Sequence, residues 1–458
     1  MESRPKFIAL EVILFLVGIA AMAAFAYLML VLAVFRANVS MYGIILDAGS
    51  VHTTVSVYSW PGAKLNGTGE VKELFFCEIS GTKGISSFVN APSEVKNYLM
   101  ESNASTSCLK RAVSMVDPAY RNETKIFLGA TGGMRVLNNT NPRAAQQIMG
   151  NITIVLNELG LKKAEVSSTA RILSGDEEGK LGWVTVNYLL GNLKQTNLPE
   201  KFNERKQMLE VGALDWGGAS SQITFPVEKS TTVDSHIEEV SFFNHTQRIF
   251  TMSNICYGQS EALNRYFVHL IYQSFLRSGK IKTYLSSPCQ PNSKGKMFFA
   301  RADTLFSRCT NLVDASFKNA AKNVTRDTVF KFIAKYDNET CINLINNQFD
   351  RNNCTATYGS KTLCIDPHVI SIAKPNTKFL AFSTYWYLVD VLDKKLMSAR
   401  KEDGQVVQVD RLRTVADKLC LETAERHSLL SFGDDYVQNS CFRARFIYTL
   451  LTKGYGFE

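Results

Sequence analysis

One pattern is written twice in this chain, far apart: a strand running into an aspartate, a glycine-containing turn with a serine, and a second strand. Residues 42–46 (Tyr-Gly-Ile-Ile-Leu) lead into Asp47-Ala48-Gly49-Ser50, and the strand resumes over 53–58. Residues 208–214 lead into Asp215-Trp216-Gly217-Gly218-Ala219-Ser220, and Gln222-Ile223-Thr224-Phe225 resumes it. Each reads as a β-hairpin with glycine in the turn. A unit repeated in this way predicts two related halves.

An Asp-x-Gly hairpin also has a definite chemistry. Glycine lets the backbone turn sharply, so that successive N–H groups point into one concavity and suit phosphate oxygens. The aspartate at the strand end suits a hydrated divalent cation, Ca²⁺ or Mg²⁺, which takes one or two carboxylates beside water and substrate phosphate. One such hairpin is commonplace. Two of them predict two lobes clamping a polyphosphate.

Between the hairpins, a strand over 125–128 precedes Gly129-Ala130-Thr131-Gly132-Gly133. A helix over 178–190 continues from Ser174-Gly175-Asp176-Glu177-Glu178-Gly179. Acidic residues at a helix start have two readings. They stabilise the helix dipole as part of a cap, or one of them orients and deprotonates water beside the phosphate. Composition alone favours the cap. Beyond the second hairpin, residues 228–376 hold six of the ten cysteines and four of the ten N-x-S/T sequons, and read as a disulfide-braced, loop-rich insert. A strand over 378–383 then leads into an apolar helix over 384–392. Competing chemistries lack their motifs: there is no GxxxxGK[ST], HExxH or GxSxG.

The N-terminus constrains location. Residues 12–35 are apolar, aromatic or small, enough to cross a bilayer. A cleaved signal peptide would have a shorter core and a small-residue cleavage site; an uncleaved signal anchor fits better. Arg4 and Lys6 before the run place the N-terminus in the cytoplasm. Ten sequons, at Asn38, Asn66, Asn103, Asn122, Asn138, Asn151, Asn244, Asn323, Asn338 and Asn353, follow the anchor, as does an even set of ten cysteines with no CxxC pair. Both fit a glycosylated, disulfide-bonded ectodomain. The expected location is the cell membrane, single-pass, with the catalytic part extracellular or lumenal. The formal charge of +9 is spread along the 458 residues, without basic runs interleaved with aromatics, so no nucleic-acid partner is expected. Assembly into a homo-oligomer through the anchor is left open.

Four segments carry a family resemblance. Asp47-Ala48-Gly49-Ser50-Val51-His52-Thr53, Gly129-Ala130-Thr131-Gly132-Gly133-Met134-Arg135, Ser174–Gly179 with Trp183, and Leu214-Asp215-Trp216-Gly217-Gly218-Ala219-Ser220-Ser221-Gln222 resemble the first four apyrase conserved regions of the ecto-nucleoside triphosphate diphosphohydrolases. Phe382-Ser383-Thr384-Tyr385-Trp386-Tyr387 resembles part of the fifth, and the anchor and cysteines resemble the cell-surface branch. The resemblance implies an α/β fold of two RNase H-like lobes of the actin-like ATPase superfamily, preceded by one transmembrane helix. Residues 1–40 would be the cytoplasmic tip, anchor and linker, 41–170 the first lobe, and 171–458 the second lobe with its insert.

The resemblance also implies roles. Asp47 and Asp215 would bind the metal, and Glu178 would be the general base, against the cap preference. Ser220 and Gln222 would place the attacking water. Thr131, Ser50, His52, Gly218 and Ala219 would line the phosphates, and Tyr387 and Tyr436 would stack the nucleobase. The implied disulfides are Cys77–Cys108, Cys256–Cys309, Cys289–Cys341, Cys354–Cys364 and Cys420–Cys441. Three positions depart from the family: Val51 for a serine, Gly132 for alanine, and Trp216 for a smaller apolar residue. The family also continues past Gly454-Tyr455-Gly456-Phe457 with elements that close the first lobe, so that lobe is expected to lack them here.

The expected activity is metal-dependent hydrolysis of extracellular ATP, ADP and related nucleotides to monophosphates. The alternative is a truncated, catalytically silent nucleotide-binding homologue or dimer partner. An actin-like kinase shares the hairpins but is disfavoured, because Glu178 with Gln222 suits a water nucleophile.

Overall fold

The computed structural model describes residues 4–38, 40–62, 71–79, 84–101, 107–161, 169–193, 211–231, 235–242, 245–291, 297–306, 309–310, 314–350, 357–358, 361–362, 364–386, 388, 409–421 and 439–458. The chain opens with the helix Arg4–Asn38. Its stretch Val12–Leu32 is long and apolar enough to cross a membrane, and none of it is buried against the rest of the protein. Over that stretch it has no polar face, the composition of a helix that could span a bilayer.

The first sheet has the order β3-β2-β1-β4-β5. β1 (Ser40–Ala48), β2 (Thr53–Pro61) and β3 (Lys72–Glu78) form an antiparallel meander. β4 (Lys125–Ala130) lies parallel to β1, and β5 (Ala170–Ile172) parallel to β4. Strand alternation sends Ile44, Leu46, Ala48, Val55, Val57, Ile126, Leu128 and Ala130 to one face. There they pack with Leu109, Ala145, Ile148 and Ile152 of the helices Cys108–Ser114 and Pro142–Asn157.

The second sheet has the order β15-β6-β7-β9-β8. β6 (Gly212–Trp216) and β7 (Ser220–Pro226) repeat the β1–β2 hairpin, and β9 (His245–Ile255) and β8 (Ile237–Phe242) continue it antiparallel. β15 (Phe379–Ser383) lies parallel to β6, as β4 does to β1. The helix Gln259–Ser278 buries Ala262, Tyr266, Phe267 and Ile271 in the core of this half. A separate sheet of β10 (Tyr284–Ser287), β12 (Val329–Ala334) and β11 (Met297–Arg301), and a ladder of β13 (Thr357–Tyr358) with β14 (Lys361–Thr362), complete the strands.

Two expectations are corrected. The hairpin strands run further than the turn residues suggested, to Ala48 and Trp216. Asp47 and Asp215 therefore occupy ladder positions, opposite Thr54 and Gln222, because parallel neighbours hold these strands from the other side. The stretch 228–376 is also not all loop. β8 and β9 belong to the central sheet, and a 20-residue helix follows them.

The disulfides Cys77–Cys108, Cys256–Cys309, Cys289–Cys341 and Cys420–Cys441 are formed as the resemblance implied. Cys354 of the fifth pair lies outside the described residues, as do Tyr387, Tyr436 and most of the helix expected over 384–392.

Candidate active site

The tips of the two hairpins meet. A Cβ on Gly218 would lie 2.9 Å from Ser50 Cβ and 3.0 Å from Val51 Cγ2, so glycine is what lets the turns approach this closely. Behind the second turn, Gln259 and Ser260 at the start of the helix Gln259–Ser278 each donate at 2.9 Å, to the carbonyls of Gly217 and Gly218. In a trans peptide the N–H opposes the C=O, so the N–H groups of Gly218 and Ala219 point away from the donors of that helix start. Thr131 N–H donates to Ala48 O at 3.1 Å and precedes the buried Gly132-Gly133 start of the helix Gly132–Thr140. Its hydroxyl lies 3.4 Å from the same carbonyl. A helix N-terminus and two hairpin turns thus converge on one cleft, a ready anion site.

Glu178 lies in the helix Gly175–Leu189. Glycines set how that helix sits: a Cβ on Gly175 would meet Ser253 Cβ at 2.3 Å, and one on Gly179 would meet Thr251 Oγ1 at 2.7 Å. The helix therefore lies directly on β7 and β9, and Glu178 Oε2 accepts from Gln222 Nε2 at 2.9 Å. The same amide nitrogen is 3.0 Å from both Ser220 Oγ and Ser253 Oγ, three contacts for two hydrogens. Arg135 enters from the first half. Its Nη1 is 2.7 Å from Glu178 Oε2, and its Nη2 donates to Ser220 Oγ at 2.8 Å.

The other acids of that helix turn elsewhere. Glu177 pairs with Arg171, and its N–H is capped by Ser174 Oγ at 3.1 Å; Asp176 is 3.9 Å from His236 Nδ1. The cap is thus formed at Ser174 and Glu177, while Glu178, one helical step on, faces Gln222 and Arg135.

The electrostatics are those of a crowded carboxylate cluster. Burial raises the Asp215 carboxyl to about 7, with Glu178 and Asp47 adding to the rise and the Ser383 hydroxyl and Arg135 opposing it. Burial likewise raises Glu178, opposed by Arg135 and reinforced by Asp47. Asp47 is reached by solvent yet sits deep among protein atoms in the cleft, which raises its carboxyl, with His52 opposing. Asp215 Oδ1 is buried with no hydrogen-bond partner among the described residues. An orphaned carboxylate oxygen amid mutually repelling acids is what a divalent cation would relieve. Among the described residues no three His, Cys, Asp or Glu side chains are placed together to hold a metal ion, so water and phosphate would have to supply most of such a coordination sphere.

The chain matches the GDA1/CD39 (nucleoside phosphatase) family over residues 34–458. It belongs to that family. It is 32% identical over 419 residues to mouse ectonucleoside triphosphate diphosphohydrolase 3, an alignment covering 91% of this chain and 72% of the mouse protein. With human ectonucleoside triphosphate diphosphohydrolase 2 it shares 32% over 422 residues, covering 91% and 76%. A nucleoside triphosphate hydrolase structure from Neospora caninum has the same fold, with a TM-score of 0.59 at 13% identity over 95% of this chain and 90% of that one.

The family site residues expected from the sequence, Asp47, Ser50, His52, Thr131, Glu178, Asp215, Gly218, Ala219, Ser220 and Gln222, all lie on the two hairpins or the two helix starts around this cleft. Sequence reasoning assigned no role to Arg135, nor to Ser383, whose φ of 57° is rare for serine and ends β15 beside Asp215. Of the departures, Trp216 is fully buried with its indole N–H on Tyr257 O at 2.9 Å, and Gly132 leaves room for Ser220 Oγ, which a Cβ would meet at 2.8 Å.

Proposed function

We propose that this protein hydrolyses nucleoside tri- and diphosphates to monophosphates in a divalent-metal-dependent reaction. It would be held by its N-terminal helix in the cell membrane, with the catalytic lobes, 41–170 and 171–458, on the extracellular or lumenal side. The observation that carries the chemistry is the Glu178–Gln222–Ser220 triangle, closed by Arg135, at the mouth of the two phosphate hairpins.

Glu178 takes the proton from an attacking water as the general base. Ser220 Oγ accepts from Arg135 and shares the Gln222 amide hydrogens with Glu178 and Ser253, which leaves its own hydrogen to donate to that water and fix its lone pair towards phosphorus. The N–H groups of Gly218 and Ala219, the Ser50 and Thr131 hydroxyls and the start of the helix Gly132–Thr140 take up charge on the phosphoryl oxygens. Asp47 and Asp215 would hold Ca²⁺ or Mg²⁺, whose chemistry is to neutralise the same oxygens. The extracellular side is supported by the exposed apolar helix, the four described disulfides and the sequons.

Full-length protein in detergent, given ATP or ADP with Ca²⁺ or Mg²⁺, tests this reading. It should release phosphate down to the monophosphate, and Glu178→Gln should cut kcat by about 10²–10⁴-fold. Nucleotide binding without phosphate release would overturn it in favour of a silent homologue.

A further inference from the structure

On the side of the second hairpin away from the cleft runs a buried polar chain that the hydrolytic chemistry does not use. Tyr455 is fully buried, with its hydroxyl 2.8 Å from Ser221 Oγ and 3.4 Å from Asn254 Nδ2. Ser221 Oγ is in turn 3.1 Å from the backbone oxygen of Asp215. The direction of each bond follows from chemistry. A carbonyl only accepts, so Ser221 spends its single hydrogen on Asp215. Ser221 then accepts from the Tyr455 hydroxyl, and the Tyr455 oxygen accepts from the Asn254 amide.

The sheet register explains the division of labour. Gln222 lies opposite Asp215 and shares its face, whereas Ser221 lies opposite Trp216 and Asn254 on the reverse face. Adjacent residues of β7 thus serve the cleft and the backbone behind it. Tyr455 reaches this point from the end of the chain described. The helix Ser440–Thr449 passes into a π-helical turn, Leu450–Tyr455, a rare form. Gly456 stops it at φ 84°, where a Cβ would meet Pro367 O at 2.1 Å. Phe457 then packs edge-on against Phe379 of β15, 5.0 Å between centroids.

We propose that Tyr455 is a positioning residue: through Ser221 it fixes the Asp215 carbonyl, the end of β6, and with it the place of the Asp215 carboxyl in the cleft. The kinetic consequence rests on the hydrolytic reading above. Without the Tyr455 hydroxyl, Ser221 loses the donor that orients it, the buried Tyr385 hydroxyl being its remaining neighbour, and the turn loosens.

Full-length wild type, Tyr455→Phe, Ser221→Ala and the double variant are compared by ATP hydrolysis, thermal melting and amide hydrogen exchange. Tyr455→Phe should lower kcat by about fivefold, the effect of one buried hydrogen bond, with KM and melting temperature close to wild type. Ser221→Ala breaks the same link without touching the aromatic core and should match it. The double variant should lose no more than either single, since both act on one chain. Exchange should quicken in residues 212–222 and not in the first sheet. A Tyr455→Phe protein with wild-type kcat and wild-type exchange in 212–222, or multiplied losses in the double variant, overturns the proposal. A wild type that releases no phosphate sinks the hydrolytic reading instead, and the exchange comparison alone then decides the role of Tyr455.

Discussion

Arg135 reaches across from the first lobe to Glu178 in the second, Nη1 to Oε2 at 2.7 Å, with both side chains largely shielded from water. Burial raises the Glu178 carboxyl, and Arg135 is the main force holding it down. If Glu178 is the base proposed above, its ionisation at neutral pH depends on this cation from the other half of the molecule. Arg135→Met should move the acidic limb of the kcat/KM–pH profile to higher pH and lower the rate most on the acid side. Arg135→Lys, which keeps the charge but loses the fork to Ser220, should restore the limb while leaving kcat reduced. A limb unmoved in Arg135→Met would show that another group sets it.

The contrast between Arg135 and the aspartates shows what a sequence carries. The two hairpins were legible because a hairpin is local, strand, turn and strand being contiguous, but the ladder positions of Asp47 and Asp215 came only with the pairing of the strands. Glu178 was ambiguous among three neighbouring acids, since first-turn capping and cleft-facing positions differ only by the roughly 100° step between helical residues. Only the packing of Gly175 and Gly179 on β7 and β9 fixes which acid faces inwards. Arg135 was not assignable at all, because its partners are 38, 43 and 85 residues away and meet only when the lobes come together. The membership of β8 and β9 in the central sheet was missed for a related reason. Cysteines and sequons crowd the same region and mask a strand pattern that only pairing with β7 makes evident.

The raised carboxyls predict how stability varies with pH. Asp215 stands at about 7 in the fold against an ordinary 3.8, and Asp47 and Glu178 shift in the same direction. Between those values the folded protein binds more protons than the unfolded chain, so stability falls as pH rises. In EDTA, the melting temperature should be highest near pH 5 and decline through pH 7. Asp215→Asn should flatten that decline, and saturating Ca²⁺ or Mg²⁺ should raise the melting temperature most above pH 7, by occupying the ionised acids. A melting temperature that climbs from pH 5 to 8 in EDTA would contradict the cluster.

Two glycines in helices should respond in opposite ways to alanine. Gly150, in the helix Pro142–Asn157, has nothing within 4 Å of a Cβ, so Gly150→Ala should stabilise by about 0.5–1 kcal/mol. At Gly179 a Cβ would meet Thr251 Oγ1 at 2.7 Å and Thr224 Oγ1 at 2.8 Å, and those hydroxyls are bonded to each other at 2.8 Å. The helix must lift away, carrying Glu178 off Gln222. Gly179→Ala should therefore lower the melting temperature despite its better helix propensity. With Glu178 as the proposed base, it should also lower kcat by about 10-fold or more, since misplacing a catalytic group is costly. Calorimetry and steady-state kinetics on the pair check both signs.

The sequons should not be used equally. Asn151 lies inside the helix Pro142–Asn157, and its Nδ2, the atom that a glycan would take, donates to Pro92 O at 3.1 Å. A sugar there would break that bond and push the helix from the segment it packs on. Asn122 and Asn323 are exposed, the first in a turn and the second at the C-terminal cap of the helix Ala315–Lys322. With the lobes on the lumenal side, Asn122→Gln and Asn323→Gln should each remove one glycan step from the electrophoretic mobility of protein made in secretory cells. Asn151→Gln should leave mobility unchanged and lower the melting temperature, because its amide is structural. A mobility step lost with Asn151→Gln would mean the helix forms around an occupied site, and the contact to Pro92 would then have to be given up.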